Sequence, residues 1–357
     1  MKICRLRRRS CRAAWCEAQK GDPMSMALFW EWLIKCIILI LVMTGGFAYT
    51  TLLERKVLAR MQARIGPNRA GPLGLLQPVA DGIKLIFKEE LIPAGADKRI
   101  FVLAPIITVI PALIVTAVIP WGTSVTIGGR EIPLHITDIN VAVLYIMSVT
   151  SISVYGITLA GWSSNNKYAT MGGLRATAQM VSYELALGLA FIGPVMLAGS
   201  LSMSDIVAAQ RGLWYVFIQP AGFLIYFVAS LAEVNRAPFD MPEAEQELTA
   251  GYHTEYSGMK FALFFMAEYI KMIAVAMIGA SLFLGGYQGP FVAQLPWLGP
   301  VWLFAKVFVW LFVMIWVRAT LPRIRYDKLM ALGWKVLLPV SLLNVMVTAV
   351  VLVLTSA

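Results

Sequence analysis

Eight apolar runs govern what this chain can become. They lie near residues 27–53, 101–121, 139–161, 174–198, 213–234, 259–285, 299–318 and 332–354. Inside a bilayer no water satisfies a free backbone N–H or C=O, so a run of about 20 apolar residues crosses it as a helix. Trp30, Trp32, Trp121, Trp162, Trp214, Trp297 and Trp334 stand at or near run ends, where an amphipathic ring suits the headgroup layer. With 59% hydrophobic and 14% charged residues, the composition excludes both a soluble domain and a disordered chain. The expected fold is all-α: a polytopic membrane bundle of about eight transmembrane helices.

A net charge of +10 would point a soluble protein toward nucleic acid, but here its distribution speaks of orientation. With run ends included, the connections after runs 1, 3, 5 and 7 hold 9, 2, 2 and 5 Lys or Arg. Those after runs 2, 4 and 6, with the C-terminal tail, hold 1, 1, 0 and 0. By the positive-inside rule the odd loops face the cytoplasm and both termini face out. The first 25 residues disagree, carrying seven Lys or Arg on the outer side. They lack the apolar centre of a signal peptide and are read as a basic extension ahead of a natural start at Met24 or Met26. Their Cys4, Cys11 and Cys16 match no common zinc or iron–sulfur spacing, and Cys36, within the first run, is expected simply to pack there.

Residues 26–357 read as one integral-membrane domain with two large polar excursions, 54–100 and 235–258. Helical character in the first run continues through LLERKVLARMQARI to a stop at Gly66-Pro67. Lys56, Arg60 and Arg64 recur there at four-residue spacing and form a basic stripe. The following GLLQPVADGIKLIFKEELIPAG places Val79, Ile83 and Ile86 on one helical face and Asp81, Lys84 and Lys88 on another. Too short to span, it is expected to lie in the interface as an amphipathic helix, or else to pack on the bundle as a connector.

Charges within the runs need a partner, a wet cavity or a neutralising proton, since each costs roughly 2.5–3.5 kcal/mol at mid-bilayer on insertion scales. Glu184 lies well inside run 4, Glu268 and Lys271 inside run 6, Lys306 in run 7, and Glu54 and Glu233 at the inner ends of runs 1 and 5. A carboxyl group out of bulk water is driven toward its neutral form, which makes proton exchange with a neighbour accessible near neutral pH. Against a relay, Glu268 and Lys271 are three residues apart and make a plausible static pair, while Glu54 and Glu233 suit interfacial caps. Glu184 has no cation near it in sequence except Arg175, on the opposite helical face.

The stretch AEVNRAPFDMPEAEQELTAGYHTEYSG (232–258) gathers Glu233, Asp240, Glu243, Glu245, Glu247 and Glu255. Pro238 and Pro242 stop a helix there. Glu243 and Glu247 would repel at four-residue spacing unless wet, partly protonated or faced by cations such as the Lys56/Arg60/Arg64 stripe. Interleaved Phe239, Met241, Leu248 and Tyr252 argue for a packed loop over a solvated acidic one. With only His135 and His253, no bis-histidine haem site is available in the bilayer, and neither a Cys cluster nor a Gly-rich nucleotide loop appears. No metal site is expected, and electron chemistry has to come from a partner.

GLLQPVADGIK (74–84) and PFDMPEAEQELTAGYHTEYSGMKFALFFMAEY (238–269) closely resemble the two signature regions of the H subunits of bacterial NADH–quinone oxidoreductase, a family that includes mitochondrial complex I subunit 1 as its counterpart. ERKVLARMQARIGPNRAGPLG (54–74) and SYELALGL (182–189) are similar to that family's first cytoplasmic loop and fourth span, and the likeness covers 27–354. It implies a protein of the bacterial inner membrane that binds no cofactor itself. FMN and iron–sulfur clusters would sit in partner subunits, with antiporter-like subunits alongside and quinone as substrate. It implies a quinone chamber lined by Arg55, Arg64, Asp81 and Lys84, and an acidic relay of Glu54, Glu184, Glu233, Asp240, Glu243, Glu245, Glu247 and Glu268. Three alternatives stay open: the membrane subunit of an energy-converting hydrogenase, a stand-alone cation–proton antiporter, and a structural anchor for a redox arm.

Overall fold

The structure is a computed structural model that describes residues 26–127, 130–241, 249–292 and 294–356. Its long helices are α1 (Met26–Met61), α3 (Lys98–Val115), α4 (Ala142–Ser163), α5 (Lys167–Ala198), α9 (Gly258–Phe283), α10 (Leu298–Thr320) and α12 (Leu338–Ser356). Shorter helices are α2 (Gln77–Phe87), α6 (Met203–Ala209), α7 (Tyr215–Ile218), α8 (Pro220–Glu233) and α11 (Tyr326–Ala331). A hairpin of β1 (Ser124–Ile127) and β2 (Arg130–Pro133) follows α3. The α11–α12 segment runs on through a π turn at Leu332–Leu337, just ahead of Pro339, which has no N–H for the helical ladder. Among the described residues seven segments are long and apolar enough to cross a membrane, so the protein is an all-α, multi-pass membrane bundle.

The fifth apolar run departs from expectation. It is not one helix over 213–234 but the single turn α7 followed by α8, which at 14 residues is only about 21 Å long. Gln219 is the break, and Pro220 starts the new helix where its missing N–H costs nothing. The break is housed by neighbours. Gln219 Nε2 donates to Thr348 Oγ1 of α12 at 2.8 Å, and a Cβ on Gly193 of α5 would meet Gln219 Oε1 at 2.3 Å.

Close approach at small residues sets the neighbouring contacts. A Cβ on Gly156 of α4 would lie 3.0 Å from the Ala104 carbonyl of α3, and one on Gly161 would lie 2.7 Å from the Ala169 carbonyl of α5. Thr158 and Thr177 add a hydroxyl–hydroxyl bond of 2.6 Å between α4 and α5. At the centre lies α9, buried along its C-terminal two thirds and flanked by α1, α3 and α10. Tyr226 of α8, Phe283 and Trp310 form an aromatic knot against it, and the Tyr226 hydroxyl donates to the Val275 carbonyl at 2.8 Å.

The loops sort to two ends. At one end Leu91 N donates to Ser257 Oγ (3.1 Å), Lys260 pairs with Glu90 (2.8 Å), and Asn166 donates to Glu255 (2.7 Å). Ile324 N donates to the Pro238 carbonyl there at 3.1 Å, so the connections after runs 1, 3, 5 and 7 meet. At the other end Asp138 accepts from Ser202 and Ser204 at 2.9 and 2.7 Å, and Gln288 donates to the Val207 carbonyl. The even connections meet there.

Candidate functional site

At the end shared by the odd connections, α1 outruns the hydrocarbon core. Its 36 residues span about 54 Å against a core of roughly 30 Å. Near its end Glu54, 3% exposed, accepts from Arg236 Nη1 at 3.1 and 3.2 Å, from the Tyr269 hydroxyl at 2.7 Å, and from Arg318. Arg236 uses its Nε on Glu268 at 2.7 Å and lies over the Tyr269 ring at 4.3 Å. Two carboxylates, two guanidiniums and a phenol therefore share one corner largely closed to water, and the opposite charges answer one another.

Local sequence explains how Arg236 reaches that corner. Just past the end of α8, Asn235 takes a left-handed conformation (φ 56°) that short polar residues tolerate, and it swings the chain back. A single amide holds the bend: Gln179 Nε2 of α5 faces the carbonyls of Ala232 (2.8 Å) and Phe239 (2.7 Å) and Asn235 Oδ1 (3.2 Å).

Beside this cluster lies a cavity of about 530 Å³ between α1, α2 and α9. Its walls are mainly apolar, including Phe47, Leu85, Phe265 and Met266, with Glu54, Arg55, Asp81, Lys84, Arg236 and Arg318 at the polar places. Arg55 pairs with Asp81 at 2.6 Å and docks α2 onto α1. The apolar face of α2 turns outward, with Val79 57%, Ile83 51% and Phe87 83% exposed, as a helix lying in the interface requires. Three of the four residues expected to line a chamber, Arg55, Asp81 and Lys84, thus share this cavity. Arg64 does not. It lines a separate concavity of about 550 Å³ with Lys56, Arg60 and the 65–68 turn.

From Glu268 the charges continue inward. A small cavity of about 20 Å³ is lined by Glu233, Glu268, Lys271, Tyr252, His253 and Thr108. A second of the same size continues past Glu233 and Lys271 to Thr150 and Ser153 of α4. Next along α4, Ser151 donates to Glu184 of α5. Lys271 interacts electrostatically with Glu233, Glu268 and Glu184 together. The static Glu268–Lys271 pair that their spacing left open as an alternative gives way to a shared arrangement in which Glu268 pairs with Arg236.

Other expected members lie elsewhere. Asp240 belongs to the loop whose carbonyl accepts from Arg323, and it lines neither of the two small cavities. Glu243, Glu245 and Glu247 fall outside the described residues, as do Cys4, Cys11, Cys16 and the rest of the basic extension. Lys306 sits at the opposite end and donates to the carbonyls of Leu284 (2.6 Å), Gly286 (2.8 Å) and Gln288 (2.6 Å). There it closes off the last turn of α9. Sequence reasoning missed Arg236, Arg318, Tyr269 and Gln179. The first two were legible as charges but were absorbed into the loop count that sets orientation.

Fold and site together define a polytopic membrane protein in which a row of buried charges leads from an apolar-walled cavity at one end toward the middle of the bundle. The family model described as NADH dehydrogenase matches residues 34–349. The H 2 subunit of the NADH-quinone oxidoreductase of Geobacter metallireducens is 52% identical over 340 residues, covering 92% of this chain and 97% of that protein. The H subunit of Thermomicrobium roseum is 52% identical over 324 residues (88% and 94%), and the H 2 subunit of Koribacter versatilis 53% over 337 (89% and 95%). The chain belongs to the family of NADH-quinone oxidoreductase H subunits, and so to the membrane subunits of complex I.

Proposed function

We propose that this chain forms much of the quinone chamber of a proton-pumping NADH–quinone oxidoreductase and links quinone reduction to proton movement through its buried acids. One observation carries the reading. The 530 Å³ cavity opens onto Glu54, Arg236 joins Glu54 to Glu268, two small cavities carry on past Glu233 and Lys271 to Thr150 and Ser153, and the neighbouring Ser151 donates to Glu184. The largely apolar walls suit an isoprenoid tail, while Arg55, Asp81 and Lys84 offer polar contacts nearer the ring.

Quinone takes up two electrons and two protons to become quinol. Electrons would come from iron–sulfur partners docked at the odd-loop end, which positive charge assigns to the cytoplasm of an inner-membrane protein. The proton demand and the added charge in the chamber pull on Glu54. Because Glu54 and Glu268 share Arg236, a change at the first alters the field at the second, and Lys271 passes it to Glu233 and Glu184. On this reading the 236–258 loop, with Asp240, Glu243, Glu245 and Glu247, responds by protonation or movement, and antiporter-like subunits receive the change. A stand-alone antiporter would need no such cavity beside its first carboxylate.

Photoaffinity labelling of the assembled enzyme with a short-chain azidoquinone tests this. Label is expected on peptides from α1 near Phe47–Leu58 and from α9 near Met259–Tyr269, and excess quinone should displace it. Label confined to partner subunits contradicts the chamber.

A further inference from the structure

His253 ends the short helical turn Gly251–His253 in the loop between α8 and α9, and it is 5% exposed. Its ring packs among Tyr252 (3.8 Å between centroids), Phe261 and Phe264 (each 5.5 Å). Neither Nδ1 nor Nε2 has a hydrogen-bond partner among the described residues. A buried imidazole with both nitrogens unanswered is costly, and aromatic neighbours do not repay it. The ring borders the small cavity that Glu233, Glu268 and Lys271 also line, at about 20 Å³ enough for one water centre and provided with several polar walls.

We propose that this cavity is a water site and that His253 is its anchor, a positioning residue that holds a water between the carboxylates of Glu268 and Glu233. The neutral ring supplies one N–H donor and one acceptor nitrogen, so one nitrogen fixes the water's orientation while the water's remaining bonds reach the acids. Thr108 of α3, Asn235 beyond α8 and Tyr252 of the same turn complete the polar surroundings; the charged groups facing the cavity are Glu233 from α8 and Glu268 and Lys271 from α9. Burial among the rings also pushes the imidazole down to about 3, so it stays neutral at working pH and acts by hydrogen bonding alone. The inference rests on the relay reading, which supplies a reason for water between the two acids.

The test uses the assembled enzyme in native membranes, with NADH oxidation by a soluble artificial acceptor as the assembly control. His253→Leu is expected to lower quinone reductase activity about tenfold with that control intact. His253→Asn, which keeps a donor and an acceptor, is expected to restore most of the activity with the wild-type pH profile. Should His253→Leu fail to assemble, His253→Phe carries the same comparison. Full activity in the apolar variants overturns the proposal, as does loss in His253→Asn equal to that in His253→Leu, or loss of one limb of the pH profile in His253→Asn. Glu233→Gln in the same membranes separates the two readings. If it is inactive while His253→Leu is normal, only the water site fails; if it is fully active, the relay itself fails.

Discussion

Arg236 stands between Glu54 and Glu268, two carboxylates that would otherwise meet with little water to screen them. Its side chain is only 7% exposed, so removing it strands negative charge at a cost of about 3–5 kcal/mol, whereas removing charge from both sides is far milder. Arg236→Met should therefore sharply reduce the amount of folded protein in membranes. Arg236→Met with Glu268→Gln should recover much of it, giving a coupling of about 0.5–3 kcal/mol in thermal unfolding of the detergent-solubilised enzyme. Simple additivity would mean the two side chains do not act as a unit. His253 makes a pH prediction of its own. Its pKa falls from 6.5 to about 3 on burial, so folding excludes a proton that the unfolded chain binds. Its contribution to stability is complete above pH 6.5 and is lost as pH falls toward 3. In His253→Asn the midpoint of unfolding should fall less steeply over that interval than in wild type; equal slopes would refute the assignment.

Among the elements, α2 and the α4–α5 contact show what patterning reveals and what it hides. The period of Val79, Ile83 and Ile86 identifies α2 as a helix with one apolar face, and that face does point outward. Ile83→Asp should raise amide exchange across Gln77–Phe87 in lipid nanodiscs while leaving α9 protected; unchanged exchange would mean that lipid does not hold this helix. Glycines carry no such periodic signal. Gly45 and Gly161 look alike in sequence, yet a Cβ at Gly45 meets nothing within 4 Å while one at Gly161 meets backbone at 2.7 Å. Gly161→Ala should destabilise the bundle by roughly 1–3 kcal/mol and Gly45→Ala by little, read as melting temperatures of the solubilised protein. The break at Gln219–Pro220 was hidden for a related reason. Apolar character persists across 213–234, and only the neighbours that house Gln219, namely Gly193 and Thr348, show why the helix restarts there.

For the molecule as a whole, the bundle was legible because a lipid environment leaves few alternatives to apolar helices, and the alternating Lys and Arg counts sorted the loops into the two ends that the structure brings together. Glu54, Glu184, Glu233 and Glu268 were conspicuous as charges in apolar surroundings. Their connections were not, because the Glu54–Arg236 contact joins residues 182 apart and the Glu54–Arg318 contact residues 264 apart. The resemblance groups Arg64 with Arg55, Asp81 and Lys84, yet its side chain lines a separate concavity with Lys56, Arg60 and the 65–68 turn. The central claim, that quinone chemistry at one end is felt by the acids within, is tested most directly by Glu233→Gln enzyme in proteoliposomes, with quinone reduction and proton uptake recorded together. An assembled enzyme is expected in which both fall in step by about tenfold or more. Wild-type rates of both would contradict the claim.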